Sequence, residues 1–143
     1  MKIAVGSDHG GYDLKHEILD ALRSENYEYR DFGTHSKKSV DYPDIAREVS
    51  EAVASGEYDR GILICGTGVG MCITANKVRG IRAVLASDEY TARLSREHNN
   101  TNVLTLGGRV IGPELAKNIV HVWLETDFST EPRHIDRVNK IEQ

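Results

Sequence analysis

Short apolar runs and longer amphipathic stretches take turns along this chain. KIAVGS, residues 2–7, has the length of a strand, and GYDLKHEILDALRSE follows it with Leu14, Ile18, Leu19 and Leu22 at helical spacing. YEYRDF is a second, weaker strand. From about Tyr42 to Glu57 the pattern is helical again, with Ile45, Val49 and Val53 on one face. GILIC, IRAVLA and NVLTLG predict three more strands, separated by the helical stretches MCITANKV and DEYTARLSREH. GPELAKNIVHVWLE predicts a late helix, with Pro113 in the first turn where a missing N–H costs nothing. The charged tail EPRHIDRVNKIEQ predicts one more.

About five alternations of strand and helix imply a parallel sheet covered by helices on both faces. The expected fold is α/β: a three-layer, doubly wound, Rossmann-like domain with a five-stranded parallel sheet and a C-terminal helix. No repeat, low-complexity tract or linker divides the sequence, so residues 1–143 read as a single domain. GILIC and IRAVLA are continuous apolar runs, the pattern of strands buried on both faces. In such folds ligands lie beyond the carboxyl ends of the strands, near the point where the strand order reverses. That directs attention to Ser7–Gly11, to Cys65–Gly70 and to Ser87–Asp88.

Composition narrows the partners. A net charge of -4 argues against nucleic acid, which needs a surplus of basic residues. Any anion site must therefore be a local cluster. The N-terminus lacks a signal-peptide pattern and no run is long enough to span a bilayer, so no membrane association is expected. Two cysteines, Cys65 and Cys72, are too few for a disulfide framework and lack the spacing of a metal site. A cytoplasmic location, with both thiols free, is the simplest expectation.

The stretch ILICGTGVGM, residues 62–71, sets a thiol at the end of a buried strand against three glycines. Gly66, Gly68 and Gly70 give G-x-G-x-G, not the G-x-G-x-x-G of a dinucleotide loop. A P-loop needs Lys and Ser/Thr after its last glycine, where Met71 and Cys72 stand. A cysteine phosphatase needs an arginine six positions after its cysteine, and that position is Met71. What remains is a run of small residues whose backbone N–H groups can turn inward at a helix N-terminus. Those donors and the helix dipole favour an anion, and with it the thiolate of Cys65 as base or nucleophile. A strand-end cysteine beside a tight turn is the plain alternative. For Cys72, one turn into the helix, packing is the better reading.

Four other motifs carry candidate chemistry. In SDHGG, Asp8 is as good a helix cap as any residue, whereas His9 stands at the ligand-facing end of the sheet. In DYPD, Pro43 starts a helix that Asp41 could cap, and Tyr42 before it is held extended, able to aim at a ligand. In EHNNTN, His98 and Asn99 end a helix, where they suit the dipole and the stop signal but also supply an acid and an amide. Arg133 and Arg137 lie one helical turn apart, and Arg109 in GGRV adds a third guanidinium. Guanidinium matches phosphate geometry bidentately.

Taken together, SDHGG, DYPD, ILICGTGVGMCITANKVRGIRA, HNNTNVL, GGRV and R-H-x-x-R-V closely resemble the type B ribose-5-phosphate isomerases, relatives of the bacterial galactose-6-phosphate isomerase subunits. The resemblance covers nearly the whole chain. It implies an aldose–ketose isomerisation through an enediolate, in the pentose phosphate pathway, with no metal and no organic cofactor. By resemblance, Cys65 is the base between C1 and C2, with Thr67 assisting. Gly66, Thr67, Gly68, Val69 and Gly70 form the oxyanion hole. Asp8 and His98 open the furanose ring, Tyr42 and Asn99 hold the hydroxyls, and His9, Arg109, Arg133 and Arg137 gather the phosphate. One branch of the family replaces this cysteine by a glutamate just after the loop; here that position is Met71. The resemblance further implies a homodimer or homotetramer whose active sites are shared between subunits. Allose 6-phosphate or galactose 6-phosphate are alternative substrates, and a sugar-phosphate or nucleotide-binding module without turnover is the remaining alternative.

Overall fold

The computed structural model describes all residues, Met1–Gln143. Five strands, β1(Lys2–Ser7), β2(Glu28–Asp31), β3(Arg60–Cys65), β4(Ala83–Leu85) and β5(Val103–Gly107), form one sheet. Its order is β2-β1-β3-β5-β4 and every pairing is parallel. Six helices connect and flank them: α1(Tyr12–Ser24), α2(Tyr42–Ala54), α3(Val69–Ala75), α4(Glu89–Asn99), α5(Pro113–Glu125) and α6(Pro132–Ile141). The expected doubly wound architecture is what the chain adopts.

Strand alternation divides the core in two. Ile3, Val5, Ile62, Ile64, Leu104 and Leu106 face α1 and α5, where Leu14, Ile18, Ile119 and Trp123 meet them. Ala4, Leu63, Cys65 and Val103 face the other way, onto Val49 and Val53 of α2 and Met71 and Ala75 of α3. Neighbours such as Ile62 and Leu63 thus enter different cores, and each side chain so buried stabilises the fold by roughly 1.5–3 kcal/mol.

One expectation needs correcting. IRAVLA does not form a doubly covered strand: β4 keeps only three residues, all half-buried, at the edge of the sheet. The covered strands are β1, β3 and β5, because each has a neighbour on both sides in the order. Apolar content alone cannot distinguish an edge from a centre; neighbours on both sides do.

The order also locates the crevice. The chain leaves β1 outward to β2, whereas it leaves β3 the opposite way, through α3, to β4. The loops after β1 and β3 therefore part from one another, and a cleft opens between their carboxyl ends.

Candidate active site

Register brings three strand ends together: Ser7 lies opposite Ile64, and Cys65 opposite Gly107. Backbone bonds carry the contact into the loops. Asp8 N–H donates to the Ile64 carbonyl at 3.2 Å, Gly108 N–H to that of Cys65 at 2.8 Å, and Arg109 N–H to that of Gly66 at 3.0 Å. A cleft of about 410 Å³ results, lined by Asp8, Tyr42, Cys65, Gly66, Thr67, Val69, Gly70, Ile73 and Arg109.

At its floor the Cys65 sulfur, only 5% exposed, accepts a hydrogen bond from the Gly68 N–H at 3.2 Å. Gly68 makes this possible, since its φ of +82° turns the chain back over the thiol. A side chain there would also collide with Leu85 and the Leu106 backbone. Thr105 fastens the turn from below, its hydroxyl donating to the Gly68 carbonyl at 2.9 Å. Thr67 Oγ1 accepts from the Val69 N–H at 3.3 Å. The amides of Gly66, Thr67 and Gly70 have no acceptor within the protein. They are the donors available to an anion beside Cys65.

The rim follows from packing. The Tyr42 ring lies against Gly70, whose missing side chain makes the room. The Arg109 guanidinium lies over Gly66 in the same way. Asp8 both lines the cleft and caps the 3-10 turn His9–Gly11, accepting from the Gly11 N–H at 3.1 Å. The cap is thus observed, and it leaves Asp8 at the cleft wall. His9 is half-buried beside the same turn, and its Nδ1 accepts from the Val40 N–H at 3.2 Å, leaving Nε2 as the ring's other polar atom. Tyr42 is not held extended as expected but is the first residue of α2; the extended residue is Asp41, whose side chain makes no cap bond. The β2–α2 connection that carries Val40 and leads into that helix is tethered by Lys15, a fully buried ammonium that bonds Asp31 Oδ1 at 2.8 Å and the Thr34 carbonyl. Cys72 stays outside the cleft; burial pushes its thiol up, and the thiol reaches the Ala83 carbonyl at 3.7 Å.

His98, Asn99, Arg133 and Arg137 are not brought to this cleft. The turn after α4 sits at the amino ends of the strands, where the Asn102 carbonyl accepts from the Gly61 N–H at 2.9 Å. From Gly61 to Cys65 the strand advances about 13 Å toward the opposite edge. Arg82 holds this turn through the Asn99 and Asn100 carbonyls at 3.0 and 2.8 Å, and Arg96 through Asn100 and Thr101. α6 packs beside it, the His98 and His134 rings stacking at 4.2 Å. Arg133 and Arg137 are exposed on α6. A second, basic cluster therefore stands at the other end of the same chain.

Sequence reasoning missed Ile73, Val40 and the tether of Lys15 to Asp31. It also missed Thr105, though a lone hydroxyl in VLTLG was a visible signal. The other three depend on contacts between segments far apart in sequence.

A family model described as ribose/galactose isomerase matches residues 3–141. This chain belongs to that family. Among its relatives in the family, ribose-5-phosphate isomerase B of Escherichia coli is 55% identical over 140 residues, 98% of this chain and 93% of its own. A D-erythrulose-4-phosphate isomerase of Pectobacterium atrosepticum is 46% identical over 129 residues, 90% of this chain and 85% of its own. The solved ribose-5-phosphate isomerase B of Clostridium thermocellum superposes with a TM-score of 0.97 at 58% identity, covering 99% of this chain and 95% of that one. No helix is long and apolar enough to cross a membrane.

Proposed function

We propose that this isomerase interconverts ribose 5-phosphate and ribulose 5-phosphate, with Cys65 as the base. The observation that carries the reading is the Cys65 sulfur held by the Gly68 amide at 3.2 Å, beside the unused amides of Gly66, Thr67 and Gly70. A proton next to a carbonyl needs a base and a place for the charge that its removal creates. Both stand here within six residues.

In the open-chain aldose the Cys65 thiolate takes the proton from C2, and the electron pair moves through C1 to O1. The enediolate oxygen is received by the loop amides. Thr67 passes the hydroxyl proton from O2 to O1, and Cys65 returns its proton to C1, leaving the ketone at C2. Before this, Asp8 takes the anomeric hydroxyl proton and His98 protonates the ring oxygen, opening the furanose. Tyr42 and Asn99 hold hydroxyls; His9, Arg109, Arg133 and Arg137 gather the phosphate.

Because His98, Asn99, Arg133 and Arg137 stand at the opposite end of the chain, this reading requires a second copy to supply them. A homodimer with two shared sites satisfies it. Replacing Cys65 by Ala should lower kcat for ribose 5-phosphate by about 10²–10⁴ while circular dichroism stays unchanged. Near-normal turnover would overturn Cys65 as base. Running allose 6-phosphate, galactose 6-phosphate and erythrulose 4-phosphate alongside ranks chain length by kcat/KM.

A further inference from the structure

The His98 ring makes no hydrogen bond within the protein; what it lies against is His134, at 4.2 Å between centroids and 29° between planes. His134 is the anchored member of the pair. It is 7% exposed, on the buried face of α6 with Val138 one turn further on. Its N–H closes the first turn of α6 on the Glu131 carbonyl, and just before that helix Ser129 N–H bonds the Glu97 carbonyl of α4. The two rings are therefore brought together by backbone on both sides. Its own Nδ1 is buried without a partner, so the ring is not there to complete a hydrogen-bond network.

We propose that His134 is the positioning residue for His98, the fixed face against which the His98 imidazole is held to deliver its proton. This rests on the reading of His98 as the ring-opening acid. The electrostatics agree with the geometry. Burial, the His98 ring facing it from α4, and Arg133 and Arg137 on its own helix all hold the His134 imidazole below its usual range; Glu131 opposes them. Two stacked imidazolium ions would repel at this distance. His134 is thereby biased toward its neutral form and offers the His98 ring a flat stacking partner.

The test uses the intact enzyme with four chains: wild type, His134→Ala, His134→Phe and His98→Asn. Phenylalanine keeps a stacking ring but cannot titrate. His134→Ala should lower kcat/KM for ribose 5-phosphate roughly three- to tenfold, the worth of one aromatic pair, and His134→Phe should restore it to within about twofold. Histidine NMR titrations supply a readout independent of turnover. In wild type the His98 ring signals should respond to the step, below the usual histidine range, in which His134 protonates; in His134→Phe that step should vanish. Wild-type activity in His134→Ala, an equal loss in Phe and Ala, or His98 signals indifferent to His134 would each overturn the proposal. If alanine prevents folding, phenylalanine and the titration still decide. Full activity of His98→Asn would instead sink the ring-opening role itself, while the wild-type titration still reports whether His134 and His98 interact.

Discussion

Gly70 shows how much one missing methyl group can decide. A Cβ at this position would overlap the Tyr42 ring, whereas the backbone of Gly70 has an ordinary helical conformation as part of α3. Gly70→Ala should therefore leave the fold intact and push Tyr42 off the cleft. The expected result is a KM for ribose 5-phosphate raised roughly tenfold, with a smaller change in kcat, because a hydroxyl contact made in ground and transition state alike is lost. Unchanged steady-state kinetics would show that Tyr42 does not hold the sugar. Gly68 is different in kind, since its positive φ and its crowding by Leu106 leave no tolerated side chain. Most cleft residues were legible at this scale. Cys65, Thr67, Gly66, Gly68 and Gly70 are consecutive or nearly so, and a loop of small residues after a strand states its own geometry. Thr105 supports that loop from a different strand, which no local pattern announces.

Elements are where the β2–α2 connection acquires its shape. It holds no regular structure between Asp31 and Tyr42, yet it must present Val40 to His9 and Tyr42 to Gly70. Lys15 of α1 supplies the anchor, reaching Asp31 and Thr34 from a site with no solvent exposure. Removing Asp31's charge strands a buried ammonium, whereas removing Lys15 leaves a carboxylate already a quarter exposed. Asp31→Asn should thus cost about 2–4 kcal/mol in urea denaturation and Lys15→Met clearly less. Both should raise KM through the loosened loop. Equal destabilisation by the two would show that the ammonium finds water on its own. The sequence concealed this tether because a lysine on an amphipathic helix reads as solvated, and only the packing of α1 over β2 closes it off. β4 tells the same story: its apolar run was visible, its place at the edge was not.

At the scale of the whole molecule, the cleft beside Cys65 and the His98–α6 cluster lie at opposite ends of one sheet. A cis arrangement would leave His98 and the α6 arginines without a role in the cleft, so a second copy is the reading that uses both. Mixing inactive Cys65→Ala and His98→Asn chains after reversible dissociation tests it directly. In a shared-site dimer half the molecules are mixed and one of their two sites is whole, so activity should return to about a quarter of wild type. No recovery, with mixed dimers demonstrated by mass spectrometry, would place each site within a single chain.

By itself the sequence determined the alternation of strand and helix, and with it the doubly wound class, because those signals are periodic and local. It also put the Cys65 thiol next to the small-residue loop that runs to Gly70, since these residues are neighbours in the chain. Only tertiary structure decided the order β2-β1-β3-β5-β4, and hence which strands are covered and where the cleft opens. It decided, too, that His98 and Arg133 stand at the far end from Cys65. A motif names residues without saying which end of the sheet they occupy, and that depends on the direction in which each helix returns.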